Sequence, residues 1–113
     1  MSPLRVEILN PQGNQWVKAG EVKPGDPPGS VSQNLPDGGR NVYLFYPEPD
    51  DSESAIYKST LGADVSTPDT RAVITADLEP IATLTDGESY TLSLRTDISA
   101  ARRIIRFTHE SGK

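Results

Sequence analysis

Cysteine is absent from this 113-residue chain. Disulfides, cysteine-ligated zinc and thiol nucleophiles are therefore excluded. Histidine occurs once, at His109, and tryptophan once, at Trp16. No apolar run approaches the ~20 residues that a membrane helix needs. The opening stretch, MSPLRVEILNPQGNQ, lacks the basic start and apolar core of a secretion signal. These absences predict a protein made in the cytoplasm, with no membrane partner. Aromatic residues are also few, at 6% of the chain, which leaves little material for ring-stacking sites.

What is present is turn chemistry and charge. Ten Pro and nine Gly are spread without a period, the pattern of many turns between short segments. The length suits one domain, residues 1–113, with a modest core. Acidic side chains outnumber basic ones by 16 to 11, and the formal net charge is −5. The excess is uneven. Residues 1–94 carry 6 basic and 14 acidic side chains, whereas residues 95–113 hold Arg95, Arg102, Arg103, Arg106 and Lys113 against Asp97 and Glu110. An acidic body repels a phosphate backbone at long range, which disfavours nucleic acid as a partner.

Alternation then places the strands. In 4–9, Leu4, Val6 and Ile8 fall on one face, with Arg5 and Glu7 on the other. Residues 15–22 form a weaker strand, in which Trp16 serves as a core or edge-packing anchor. The stretch 23–40 is so dense in Pro and Gly that no regular element is expected, although Val31 and Leu35 can pin it to the body. A loop of that length is usually functional, or ordered only against a partner. NVYLFY at 41–46 is the strongest strand. Val42, Leu44 and Tyr46 line one face, and Tyr43 and Phe45 the other, the signature of a central strand or of one with a face at an interface. Further strands are expected at 55–61, at 71–78 (ended by Pro80), at 89–96 and at 102–110, with 81–84 ambiguous. Residues 97–106 also fit a helix capped by Asp97, but the pair Ile104–Ile105 favours a strand. About seven short strands without long helical patterns between them predict an all-β, antiparallel sandwich.

Residues 84–95, LTDGESYTLSLR, resemble the corner and penultimate strand of fibronectin type III and related immunoglobulin-like domains. Leu84 matches the leucine before the turn, Asp86-Gly87 the turn, Tyr90 the corner tyrosine, and Leu92 and Leu94 the inward positions. RNVYLFYPEPDDSESAIYKSTL at 40–61 is similar to the family's central strand, acidic loop and neighbouring strand. Two features depart from the pattern: the Cys…Trp…Cys signature is missing, and Trp16 lies far from the central strand. The resemblance implies an immunoglobulin-like sandwich used as a binding or spacer module, and it implies no chemistry.

Candidate chemistry is sparse. No G-x-S-x-G elbow occurs, so His109 is expected to be a solvated residue at a strand end or a pH-sensitive contact. Glu48, Asp50, Asp51 and Glu53 form the densest acidic group, which is expected to be a solvated loop, with a calcium site as the alternative; the spacing lacks the calcium pattern of an EF-hand. No metal and no cofactor are expected. Arg102, Arg103 and Arg106 are the sharpest basic feature, and arginine is favoured at interfaces for its planar, many-donor fork. Together with Tyr43 and Phe45 they are the candidate partner-binding residues. The expected function is that of a non-catalytic structural or protein-binding module. It would join other protein subunits in a homo- or hetero-oligomeric assembly, such as a virus particle with its decoration or tail components. The alternative is a carbohydrate-binding module, with Tyr43, Tyr46 and Tyr57 as a sugar platform.

Overall fold

The computed structural model describes residues 2–10, 12–50, 52–62, 78–94 and 103–110. Eight strands occur among them: β1 Leu4–Leu9, β2 Trp16–Val22, β3 Gly29–Asn34, β4 Arg40–Pro47, β5 Ser54–Leu61, β6 Glu79–Leu84, β7 Ser89–Ser93 and β8 Ile104–His109. They build two antiparallel four-stranded sheets, ordered β2-β1-β8-β7 and β3-β4-β5-β6. Neighbours within each sheet are consecutive in the chain except for β1 and β8, which join its two ends. The all-β expectation is met, with eight strands rather than about seven.

Period-two alternation fixes which side chains enter the space between the sheets. The first sheet contributes Leu4, Val22, Leu92, Ile105 and Phe107, and the second contributes Tyr43, Phe45, Ile56 and Leu84, all in one buried cluster. The rings of Phe45 and Phe107 meet at its centre, 4.6 Å apart and tilted by 47°. β4 lies between β3 and β5, and its apolar residues are buried on both faces. Its other face supplies Val42 and Leu44 to a second, smaller cluster with Leu61 and Leu78.

β8 crosses the second sheet diagonally. His109 reaches Ser54 of β5, Phe107 meets Phe45 of β4, and Arg103, just before β8, donates to the Ser32 carbonyl of β3. At the far end, a chain of polar side chains ties three strands to the first sheet. The Thr60 hydroxyl donates to Asn41, Asn41 donates to Gln33, and Gln33 donates to the Leu94 carbonyl.

Two sequence expectations need correction. The Pro/Gly-rich stretch 23–40 does contain a strand, β3. Among the described strands it is an edge strand whose ladder is with β4, in register from Gly29–Phe45 to Asn34–Arg40. A ladder offered by a strong neighbour ordered a segment with little β propensity of its own. Pro80 does not end a strand but sits inside β6, where the edge position and a register shift opposite Ile56/Tyr57 tolerate its missing donor. The ambiguous 81–84 belongs to that same strand. Residues 104–109 are strand, as favoured; residues 97–102, and the expected strand at 71–78 apart from Leu78, lie outside the described residues.

Candidate interaction face

The outward side of the first sheet carries an ordered set of charges. Glu7 of β1 pairs with Arg106 of β8 in the ladder, so both side chains project from the same face. Arg106 donates to Glu7 Oε1 through Nε at 3.0 Å and lies 2.8 Å away through Nη2. Arg5 approaches the same carboxylate at 3.6 Å and donates to Glu110 Oε1 at 3.1 Å. Lys18 and Glu21 of β2 extend the set at 3.6 Å. The Arg106 guanidinium also stacks over the Trp16 indole, 4.5 Å from the ring centroid. Trp16, paired with Leu9 and so on this outward face, is half-buried. Fixed charges of both signs around an accessible indole make a surface suited to directed, selective contact.

The predicted partner residues divide. Arg106 stands at the centre of this face. Arg103 is exposed, but its guanidinium is engaged within the molecule on the Ser32 carbonyl at 3.1 Å. Arg102 lies outside the described residues. Tyr43 and Phe45 are core residues, 6% and 5% exposed; their parity on β4 turns them toward the first sheet, and neither ring is offered to a partner. Trp16, Glu7 and Arg5 went unnoticed as a group in the sequence, since only the β1–β2 and β1–β8 registers gather them. The alternation of Arg5 and Glu7 with apolar residues was the one available signal.

His109 is not solvated. It is fully buried, and its Nδ1 shares a 2.7 Å hydrogen bond with the equally buried Ser54 hydroxyl. Asp86 Oδ1 lies 3.9 Å from Nε2, too long for a hydrogen bond. The three residue types are those of a hydrolytic triad, but the Ser54 hydroxyl is 0% exposed and no substrate carbonyl can reach it. The pair acts instead as a tie between β5 and β8, one in each sheet.

The β4–β5 loop turns on its own hydrogen bonds. The Glu48 amide donates to the Glu53 carbonyl, and Asp50 accepts from both the amide and the hydroxyl of Ser52. Those bonds hold the Asp50 carboxyl below its usual range. No group of three or more metal-ligating side chains is found among the described residues. On the outward side of the second sheet, Tyr46 and Tyr57 stack with centroids 6.1 Å apart and planes 21° apart. Burial, the Tyr57 hydrogen bond and the charges of Tyr57 and Glu48 push the Tyr46 phenol up to about 12. An opening of about 380 Å³ lies at the β6 and β7 edges, lined by Tyr43, Lys58, Glu79, Ile81, Tyr90 and Leu92.

No family model, curated protein or solved structure matches the chain.

Proposed function

We infer that the chain is a non-catalytic, protein-binding module that serves as an accessory subunit of a larger assembly, a virus particle being the kind of assembly we favour. The observation that carries this reading is the Trp16–Arg106–Glu7 arrangement. Trp and Arg are the residue types that concentrate binding energy at interfaces. Here both are held in place before any partner arrives, which reduces the ordering cost of association. The test is affinity capture from the source organism with wild type and with Trp16→Ala and Arg106→Ala variants of matched folding. A partner retained by wild type and lost by both variants supports the reading. Equal recovery by all three removes this face as the contact.

The finer description of the sandwich as immunoglobulin- or fibronectin-III-like draws support from the corner. Leu84, Leu92 and Leu94 are buried and Tyr90 packs against the core. Immunoglobulin sheets interleave strands from distant parts of the chain, whereas the described strands pair with their sequence neighbours except where β1 meets β8. That order favours a meander, and the likeness is best held to the corner itself.

A second reading, carbohydrate binding, is favoured by the Tyr46–Tyr57 stack. Tyr43 faces the opposite side of β4, so the platform has two rings and not three. A glycan array separates the readings: hits that vanish in Tyr57→Ala favour sugar, and an array without hits removes it.

A further inference from the structure

Among the described residues the two sheets end in four edge strands, β2, β7, β3 and β6, and an unpaired edge presents a row of backbone groups that can recruit another strand. Three of the four are blunted here. β2 carries Lys18 and Glu21, and Ala19 bulges out of the ladder with β1. β3 follows Pro27-Pro28, and Arg103 covers its Ser32 carbonyl. β6 contains Glu79 and Pro80, and its register breaks opposite Ile56/Tyr57. All of these are known defences against edge pairing.

β7 has none of them. Its sequence, SYTLS, holds no charge and no proline, and its five pairs with β8 run in unbroken register. The Leu94 amide donates to the Arg103 carbonyl and the His109 amide donates to the Glu88 carbonyl. Even-numbered residues therefore turn their backbone groups toward β8. Ser89, Thr91 and Ser93 turn theirs outward, and among the described residues these groups meet no other strand.

We propose that β7 is a self-recognition edge, through which two copies of this chain pair antiparallel about Thr91 and merge their first sheets into one of eight strands. The sequence of β7 is what selects a second copy as the occupant. About a two-fold axis at Thr91, Thr91 faces its own equivalent, Ser89 faces Ser93, and Tyr90 faces Leu92. No like charges meet, although the chain as a whole is acidic and repels itself elsewhere. Hydroxyls line the outward face and an aromatic–aliphatic pair the inward one, both favourable cross-strand combinations. Tyr90 and Leu92 also line the opening at this edge, beside the strand that a second copy would add. The proposal rests on the reading of the chain as an assembly module and names one of its contacts.

The experiment uses the full chain in analytical ultracentrifugation from micromolar to millimolar concentration, with three variants. Wild type is expected to show a reversible monomer–dimer equilibrium. Thr91→Glu places its carboxylate beside Arg106 of the same sheet, which preserves the fold, but sets two carboxylates face to face in the dimer; the dissociation constant should rise roughly tenfold or more. Because the chain lacks cysteine, Thr91→Cys is a single-thiol reporter and should form a disulfide dimer under mild oxidation. Ser32→Cys, on the blunted β3 edge, should remain monomeric. Wild type that stays monomeric throughout, or equal cross-linking of the two cysteine variants, overturns the proposal. Association that persists unchanged in Thr91→Glu overturns it too and moves the contact elsewhere. None of these outcomes touches the module reading, which stands or falls on the Trp16 and Arg106 captures.

Discussion

Gly29 faces Phe45 across the β3–β4 ladder, and a methyl group at Gly29 would occupy space already taken by the edge of that ring. The ring cannot retreat freely, because its other side packs on Phe107. Gly29→Ala is therefore an overpacking change, expected to cost about 1–3 kcal/mol in urea denaturation. An unchanged midpoint would show that Phe45 has another place to go. Tyrosine ionisation is a second residue-scale matter. Burial raises Tyr43, and Tyr46 is raised to about 12. A phenol whose folded value lies above its unfolded value contributes stability that is complete below pH 10 and is lost as pH climbs through the folded value. Spectrophotometric titration should thus show part of the four-tyrosine absorbance change delayed beyond pH 10. In Tyr46→Phe the alkaline loss of stability should shrink.

Among the elements, the β6–β7 turn shows how a local device sets a strand pair. Gly87 takes the left-handed conformation, with φ of 77°, which glycine adopts at no steric cost. The Glu88 carboxylate reaches back to accept from the amide and hydroxyl of Thr85, at 2.8 and 2.7 Å. Those bonds favour the charged form and lower the Glu88 carboxyl from its ordinary 4.5. Stability linked to it is complete above that ordinary value and is lost as pH falls through the lower folded one. Glu88→Gln keeps an acceptor but removes the charge, so its stability should depend less on pH across the acid limb than that of wild type. Parallel acid limbs in pH-resolved denaturation curves would count against the device. β3 is ordered from outside itself. Its only large apolar residue, Val31, packs on the core, and the β4 ladder does the rest.

On the scale of the whole molecule, the pairing of β1 with β8 is decisive. It brings Leu4 opposite His109 and Ile8 opposite Ile105, so the first sheet cannot close until both ends of the described chain have met. Non-local pairing of this kind slows folding, typically into the millisecond-to-second range for all-β domains. Trp16 is the only tryptophan and lies under Arg106 of β8, which makes its fluorescence a reporter of that closure. Stopped-flow refolding should show the Trp16 signal developing in that range. A microsecond phase carrying the full amplitude would mean that the indole environment forms without β8. Phe107, fully buried between the sheets, should show the largest truncation cost, about 3–5 kcal/mol for Phe107→Ala, a large share of the stability of a domain this size.

Periodicity in the sequence determined the strands that carry their own apolar stripe, namely β1, β4, β5, β7 and β8, because alternation is a property of neighbours along the chain. It also determined that Arg106 would be set apart from the core. Which charge Arg106 meets, which sheet each strand enters and which face of β4 turns toward Phe107 were decided only by the tertiary structure. Those facts depend on register and partner, and register is set by contacts between residues far apart in the chain. The same distinction explains the two clearest reversals. β3 owes its order to a neighbour, and His109 owes its burial to Ser54, which lies 55 residues away in the opposite sheet.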